Sequence, residues 1–315
     1  MHPAFSVIFF TVASGAGYGL FILMALGYLL GFAVMDKGVI LAGGLLSLTL
    51  ISAGLLSSTL HLANPKNAWR AFFRFKTSWL AREGVFAVLF YPVSMLFLLG
   101  LWVNADKTDY NGLVAVIGFA AVALALATLF STGMIYGCLK TIRQWNTALT
   151  PTNYILLGLA TGSILFVLIL ALNGQPIIGV ASLSVALIIL AMIAKAIYYF
   201  WVRTVIGPTI NTATGFTRAK VRLLDTGHTA GTFLTDEFSY FAPAKLLLVL
   251  RITVFVAGFL LPLFLIGLLA LGVKGGGFLA FLAVLSTFTG IAAERWLFFA
   301  EARHVIRLYH GAQHT

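Results

Sequence analysis

Charge is what this sequence is short of. Lys, Arg, Asp and Glu together make up 9% of its 315 residues, against about a quarter in a soluble domain, while hydrophobic residues make up 61%. No soluble core of this length encloses so much apolar side chain, so a water-soluble enzyme is excluded. Cysteine is rarer still. Cys138 stands alone, which excludes an internal disulfide, a CxxC motif and an iron-sulfur cluster held by this chain by itself. The histidines, His2, His61, His228, His304, His310 and His314, all fall outside the middle of the apolar runs. A b-type haem, which takes paired axial imidazoles within the membrane, therefore finds no ligands. Acidic residues are also few, nine against twenty Lys and Arg, and none stands at the centre of a run, where a transporter keeps its ionisable groups.

What the chain does have is apolar length. Crossing a bilayer takes roughly 20 apolar residues as helix, and the charges and Gly, Pro and Asn breaks leave eight such spans: about 8–32, 39–60, 84–104, 112–138, 153–173, 177–201, 248–272 and 276–298. The first follows Met1-His2-Pro3 directly and reads as a retained span rather than a signal peptide. No strand alternation of the barrel type is present, and a helix satisfies its own backbone in lipid. The expectation is one all-α membrane domain, residues 1–315, with eight transmembrane helices.

The charges sort to one side. Sixteen of the twenty cations fall on the side of the connections after spans two, four and six and of the C-terminal end, counting Arg251 and Arg295 in the adjoining ends of spans seven and eight. The positive-inside rule then predicts that both termini are cytoplasmic, together with the loops at about 61–83, 139–152 and 202–247. Two of these loops mix charge with aromatics, Trp69, Phe72, Phe73, Phe75 and Trp79 in the first, as docking surfaces and interfacial segments do. The basic charge is assigned to topology, lipid and docking, with no nucleic-acid partner.

Few groups within the spans carry chemistry. Lys195 lies near the basic end of span six and is expected to snorkel to the interface. Glu294 and Arg295 are expected to pair structurally. Gly15 and Gly19, in "SGAGYG", have the spacing of close helix packing. The stretch "HLANPKNAWRAFFRFKTSWLAREG" is more suggestive: His61 closes span two and Glu83 opens span three, so the short loop returns both groups to one membrane surface. An imidazole titrates near neutral pH, and with a carboxylate beside it the pair suits a quinol, whose two hydroxyls each lose a proton as electrons leave. The plainer alternative is that Glu83 complements the N-terminal end of its helix and His61 is an ordinary interfacial residue.

"HPAFSVIFFTVASGAGYGL", "HLANPKNAWRAFFRFKTSWLAREG", "GCLKTIRQWNTALTP" and "AERWLFFAEARH" resemble the membrane-anchor subunit of the dimethyl sulfoxide reductase family, including anchors of the sulfite dehydrogenase type. The likeness runs through nearly the whole chain. It implies a non-catalytic subunit in the bacterial inner membrane, bound to an iron-sulfur subunit and a molybdopterin catalytic subunit that hold those cofactors. It also implies electron exchange with membrane quinone, for sulfite oxidation or sulfoxide reduction. In that family a histidine ending the second span and a glutamate opening the third serve quinol binding, which maps onto His61 and Glu83. Trp79 and Arg82 follow as pocket neighbours by proximity, with Arg82 orienting a quinone oxygen or pairing with Glu83. The competing readings are a multi-span transporter and a purely structural anchor.

Overall fold

The computed structural model describes residues 1–60, 64–105, 111–225, 238 and 240–315. His61 and His228 therefore lie outside the described residues. Eight helices are long and apolar enough to cross a membrane: α1 (Phe5–Leu29), α2 (Lys37–Thr59), α3 (Trp79–Asn104), α4 (Gly112–Gly137), α5 (Leu149–Leu172), α6 (Ile178–Thr204), α7 (Ala244–Ala270) and α8 (Gly276–Ala300). No strand forms among the described residues. Side-chain caps start several helices: Asp36 accepts from the Val39 amide, Ser78 from Ala81, and Asn111 from Leu113 and Val114, each satisfying amides that a helix start leaves unpaired.

α1 and α5 are the most enclosed spans. α1 packs on α2, α4, α5 and α8, and α5 packs on α1, α4, α6 and α8, so the two helices form the shared spine of the bundle. One apolar cluster gathers around Tyr18 and Phe21 of α1 and Phe90 and Phe97 of α3, with Val122 and Leu129 of α4 against them. The other runs from α1 and α5 into α6, α7 and α8. The α1–α5 crossing is closed by glycine. A Cβ on Gly19 or Gly162 would overlap the facing backbone, Gly158 for the first and Gly19 for the second, so the packing expected of "SGAGYG" is what the helices do.

α7 is not a uniform helix. Its middle, Val256–Leu260, is a π turn. Pro262 lacks the N–H that Gly258 O would accept in an α-helix, and a π turn just before a proline is a common way to absorb that loss. Ser286 on α8 donates to Ala257 O at 2.7 Å, which satisfies one of the displaced carbonyls. Beyond the turn, Leu261–Ala270 packs on α6 and α8, whereas Ala244–Phe255 packs on α8 and barely meets α6.

Both termini lie at one end. The Met1 ammonium donates to Ala302 O at 3.1 Å, and the Thr315 hydroxyl donates to Pro208 O at 2.9 Å. The connection between α4 and α5 is built into the same end rather than left free: Trp145 is buried, stacks on Phe298 and donates from Nε1 to Phe298 O at 2.9 Å.

Candidate functional site

Ser78 caps α3 and Trp79 is its first residue, so Glu83 falls in the second turn, about 6 Å along the axis from that end. The residue is only 5% exposed. Thr132 of α4 donates to Glu83 Oε1, and the same hydroxyl lies 3.0 Å from Thr128 O. One proton cannot serve both acceptors fully. With Glu83 ionised, the Thr132 proton points at Oε1. With Glu83 protonated, the carboxyl donates to Thr132, whose proton turns to Thr128 O. A proton can therefore arrive at or leave Glu83 while the buried hydroxyl keeps a partner throughout, which is what a buried acid must have to change state at low cost.

Trp79 is half-buried and meets Phe130 edge to face, with ring centroids 5.6 Å apart. Arg82 does not turn toward Glu83. Its Nε and Nη2 donate to Phe75 O at 2.9 Å and Lys76 O at 2.8 Å, and its guanidinium lies 4.1 Å from the Trp79 ring centre. The expected Arg82–Glu83 pair is thus not formed, because neighbours on a helix diverge by about 100°. Arg82 ties the end of the preceding loop to α3. That loop contains a 3-10 run, Pro65–Arg74, with Trp69, Phe72 and Phe73 exposed among its cations. His61 lies outside the described residues.

Thr132 also forms one wall of a small internal cavity, about 10 Å³, lined by Thr11, Ser14, Thr161, Tyr154 and Arg295 among others. That is room for about one water, and buried groups on its wall, the Tyr154 hydroxyl and Arg295 Nε, have no protein partner. Beyond Arg295 lies a feature that the sequence does not reveal. Lys195 is 1% exposed and ion-paired to Glu294; Arg295 Nη1 lies 3.2 Å from the second oxygen of Glu294 and its guanidinium 3.7 Å from the Tyr154 ring centre. Lys195 does not snorkel, because Tyr198 and Tyr199 cover its ammonium at 4.2 and 4.7 Å and a carboxylate waits on α8. The expected structural pairing of Glu294 and Arg295 is present, with Lys195 as third member.

Glu83, Thr132, Tyr154, Lys195 and Glu294 all sit within about 6–14 Å of the helix ends on the same face of the bundle, the face that carries the termini and the loops after α2, α4 and α6. The result is a polar layer about one to two and a half turns below the basic face, with a carboxylate at its α3 edge.

The comparisons with known proteins agree with this architecture. The family model described as "DMSO reductase anchor subunit (DmsC)" matches residues 1–300. The chain is 35% identical over 328 aligned positions to a sulfite dehydrogenase subunit of Allochromatium vinosum, covering 98% of this chain and 99% of that protein. No solved structure matches. A match of this extent, over a chain with eight membrane-length helices, makes this protein a member of the DMSO reductase anchor subunit family.

Proposed function

We propose that this subunit passes electrons between membrane quinone and an iron-sulfur subunit, and that Glu83 takes or returns the protons of the quinone. The observation that carries the reading is the Glu83–Thr132 pair: an ionisable carboxylate enclosed in a membrane helix, where such a group is expensive to keep without a use. Oxidation of a quinol releases two electrons and two protons. The electrons leave for the partner's clusters, and a proton from one quinol hydroxyl passes to Glu83 as Thr132 swings its own proton to Thr128 O; Glu83 then gives that proton up toward the basic face and takes the second in the same way. Reduction of a quinone runs the same steps backwards. Trp79 would flank the ring, Arg82 would hold the loop that borders it, and His61 would complete the proton path.

Membership of the family supports the partners of this reading: an iron-sulfur subunit docked on the basic, aromatic surface around Trp69, Phe72 and Phe73, and a molybdopterin subunit beyond it, in a complex handling sulfite or a sulfoxide. The positive-inside rule supports a cytoplasmic position for that surface and for both termini, in a bacterial inner membrane. The proposal is tested on the assembled complex. E83Q is expected to lower quinone-linked turnover at least tenfold while turnover with an artificial electron carrier, and subunit assembly, stay near wild type. Unchanged quinone-linked turnover in E83Q would remove Glu83 from the mechanism and leave a structural anchor.

A further inference from the structure

Away from Glu83, α6 and the first half of α7 stand apart, and the gap between them is a two-part groove. An apolar limb of about 370 Å³ is walled by Tyr199, Leu248, Ile252, Phe255 and Val256. A polar limb of about 300 Å³ adjoins it, reaching Gln144, Arg303 and Arg307. Val202, Arg203, Arg251 and Glu301 line both limbs, so the two form one continuous site that leads from the hydrocarbon region to the basic face. The cause of the gap is local. The π turn at Val256–Leu260 re-aims α7, which closes on α6 only after it.

The charges that the described residues bring to the polar limb do not balance. Among the described residues four guanidinium groups face one carboxylate, and that carboxylate, Glu301, is already paired with Arg251. Among the described residues Arg203, Arg303 and Arg307 have no acidic partner. Arg251 Nε is buried without an acceptor. Partial burial and the nearby charge of Arg303 both hold the Arg307 guanidinium below its ordinary pKa, the mark of cations gathered without the anion that would relieve them.

We propose that this groove binds one anionic phospholipid, with its phosphate among Arg203, Arg303 and Arg307 and an acyl chain along the wall from Tyr199 to Val256. A quinone has the tail but no negative charge to answer the arginines. An acidic loop of a partner protein has the charge but nothing to fill a limb open to the hydrocarbon region. A phospholipid satisfies both limbs, and basic pockets between membrane helices suit such headgroups.

The test uses the purified full-length chain in neutral detergent, titrated in native mass spectrometry with dioleoyl phosphatidylglycerol, with dioleoyl phosphatidylcholine and with inorganic phosphate. One tightly held phosphatidylglycerol is expected, with phosphatidylcholine and phosphate bound far more weakly. The double variant R303Q/R307Q should weaken phosphatidylglycerol about thirtyfold, whereas R74Q, outside the groove, should leave it unchanged. I252W, which narrows the apolar limb and keeps every arginine, should also weaken it and guards against misfolding of the double variant. Equal affinity for phosphatidylcholine, full competition by inorganic phosphate, displacement by a quinone at matched concentration, or wild-type binding in both R303Q/R307Q and I252W would overturn the proposal.

Discussion

Glu294 is shared by two cations, and that arrangement makes the buried cluster lopsided. Removing Lys195 leaves Glu294 beside Arg295 at 3.2 Å, still a paired charge. Removing Glu294 leaves Lys195 and Arg295 as two buried cations with no counter-ion. Uncompensated buried charge costs about 3–5 kcal/mol, so E294L is expected to lower the thermal unfolding midpoint of the detergent-solubilised chain far more than K195M. Equal effects would mean that water or lipid reaches the cluster. The place of Lys195 in the cluster is not visible in the sequence, since Lys195 and Glu294 are 99 positions apart and a lysine near a span end reads as one that snorkels. The position of Glu83 at the opening of α3 is legible, whereas its burial against α4 is not. Its partner Thr132 is not legible either, because a threonine in an apolar run carries no distinguishing mark. Arg82 is legible as a residue of the right loop but not in its direction, which only the helical turn between it and Glu83 decides.

At the level of elements, apolar runs locate the spans well and their ends less well. Hydropathy marks the hydrocarbon-facing portion, whereas the hydrogen-bonded helix runs on into the headgroup zone. Apolarity starts span three at residue 84, yet α3 begins at Trp79 because Ser78 caps it; it starts span seven at 248, yet α7 begins at Ala244. The residues gained include Trp79, Arg82, Glu83 and Lys245, polar or interfacial side chains that a membrane-length helix presents at its end. The π turn is likewise hidden, although Pro262 gives notice that α7 is not regular. The glycine seam between α1 and α5 provides the sharpest test at this scale. G19A places a methyl group against the Gly158 backbone and is expected to cost about 1–3 kcal/mol as overpacking. G267A, on α7, meets nothing within 4 Å and should leave stability within about 1 kcal/mol of wild type. Thermal unfolding of the two variants side by side checks the contrast; equal midpoints would mean the α1–α5 crossing is looser than described.

Across the whole molecule, one end gathers nearly every polar feature. Eight crossings return the chain to the side where it began, and the contacts of Met1 with Ala302 and of Thr315 with Pro208 hold both termini there. The same end carries the Trp69–Phe73 surface, the Glu83 site and the mouth of the α6–α7 groove. Charge asymmetry in the sequence is enough to anticipate this common end, because topology follows loop charge more than helix detail. A fluorescent protein fused after Thr315 should therefore fluoresce in cells, while alkaline phosphatase at the same point should stay inactive; active phosphatase would invert the orientation. The proposed division of that end into a quinone site at α3 and α4 and a lipid site at α6 and α7 is open to direct measurement. The assembled complex would be irradiated with a photoreactive quinone analogue, and the labelled peptides of this chain sequenced. Label on α3 and α4 between Trp79 and Phe86 and around Phe130 and Thr132, lost in competition with native quinone, is the expected result; label confined to Tyr199, Leu248 and Phe255 would contradict the assignment of quinone chemistry to Glu83.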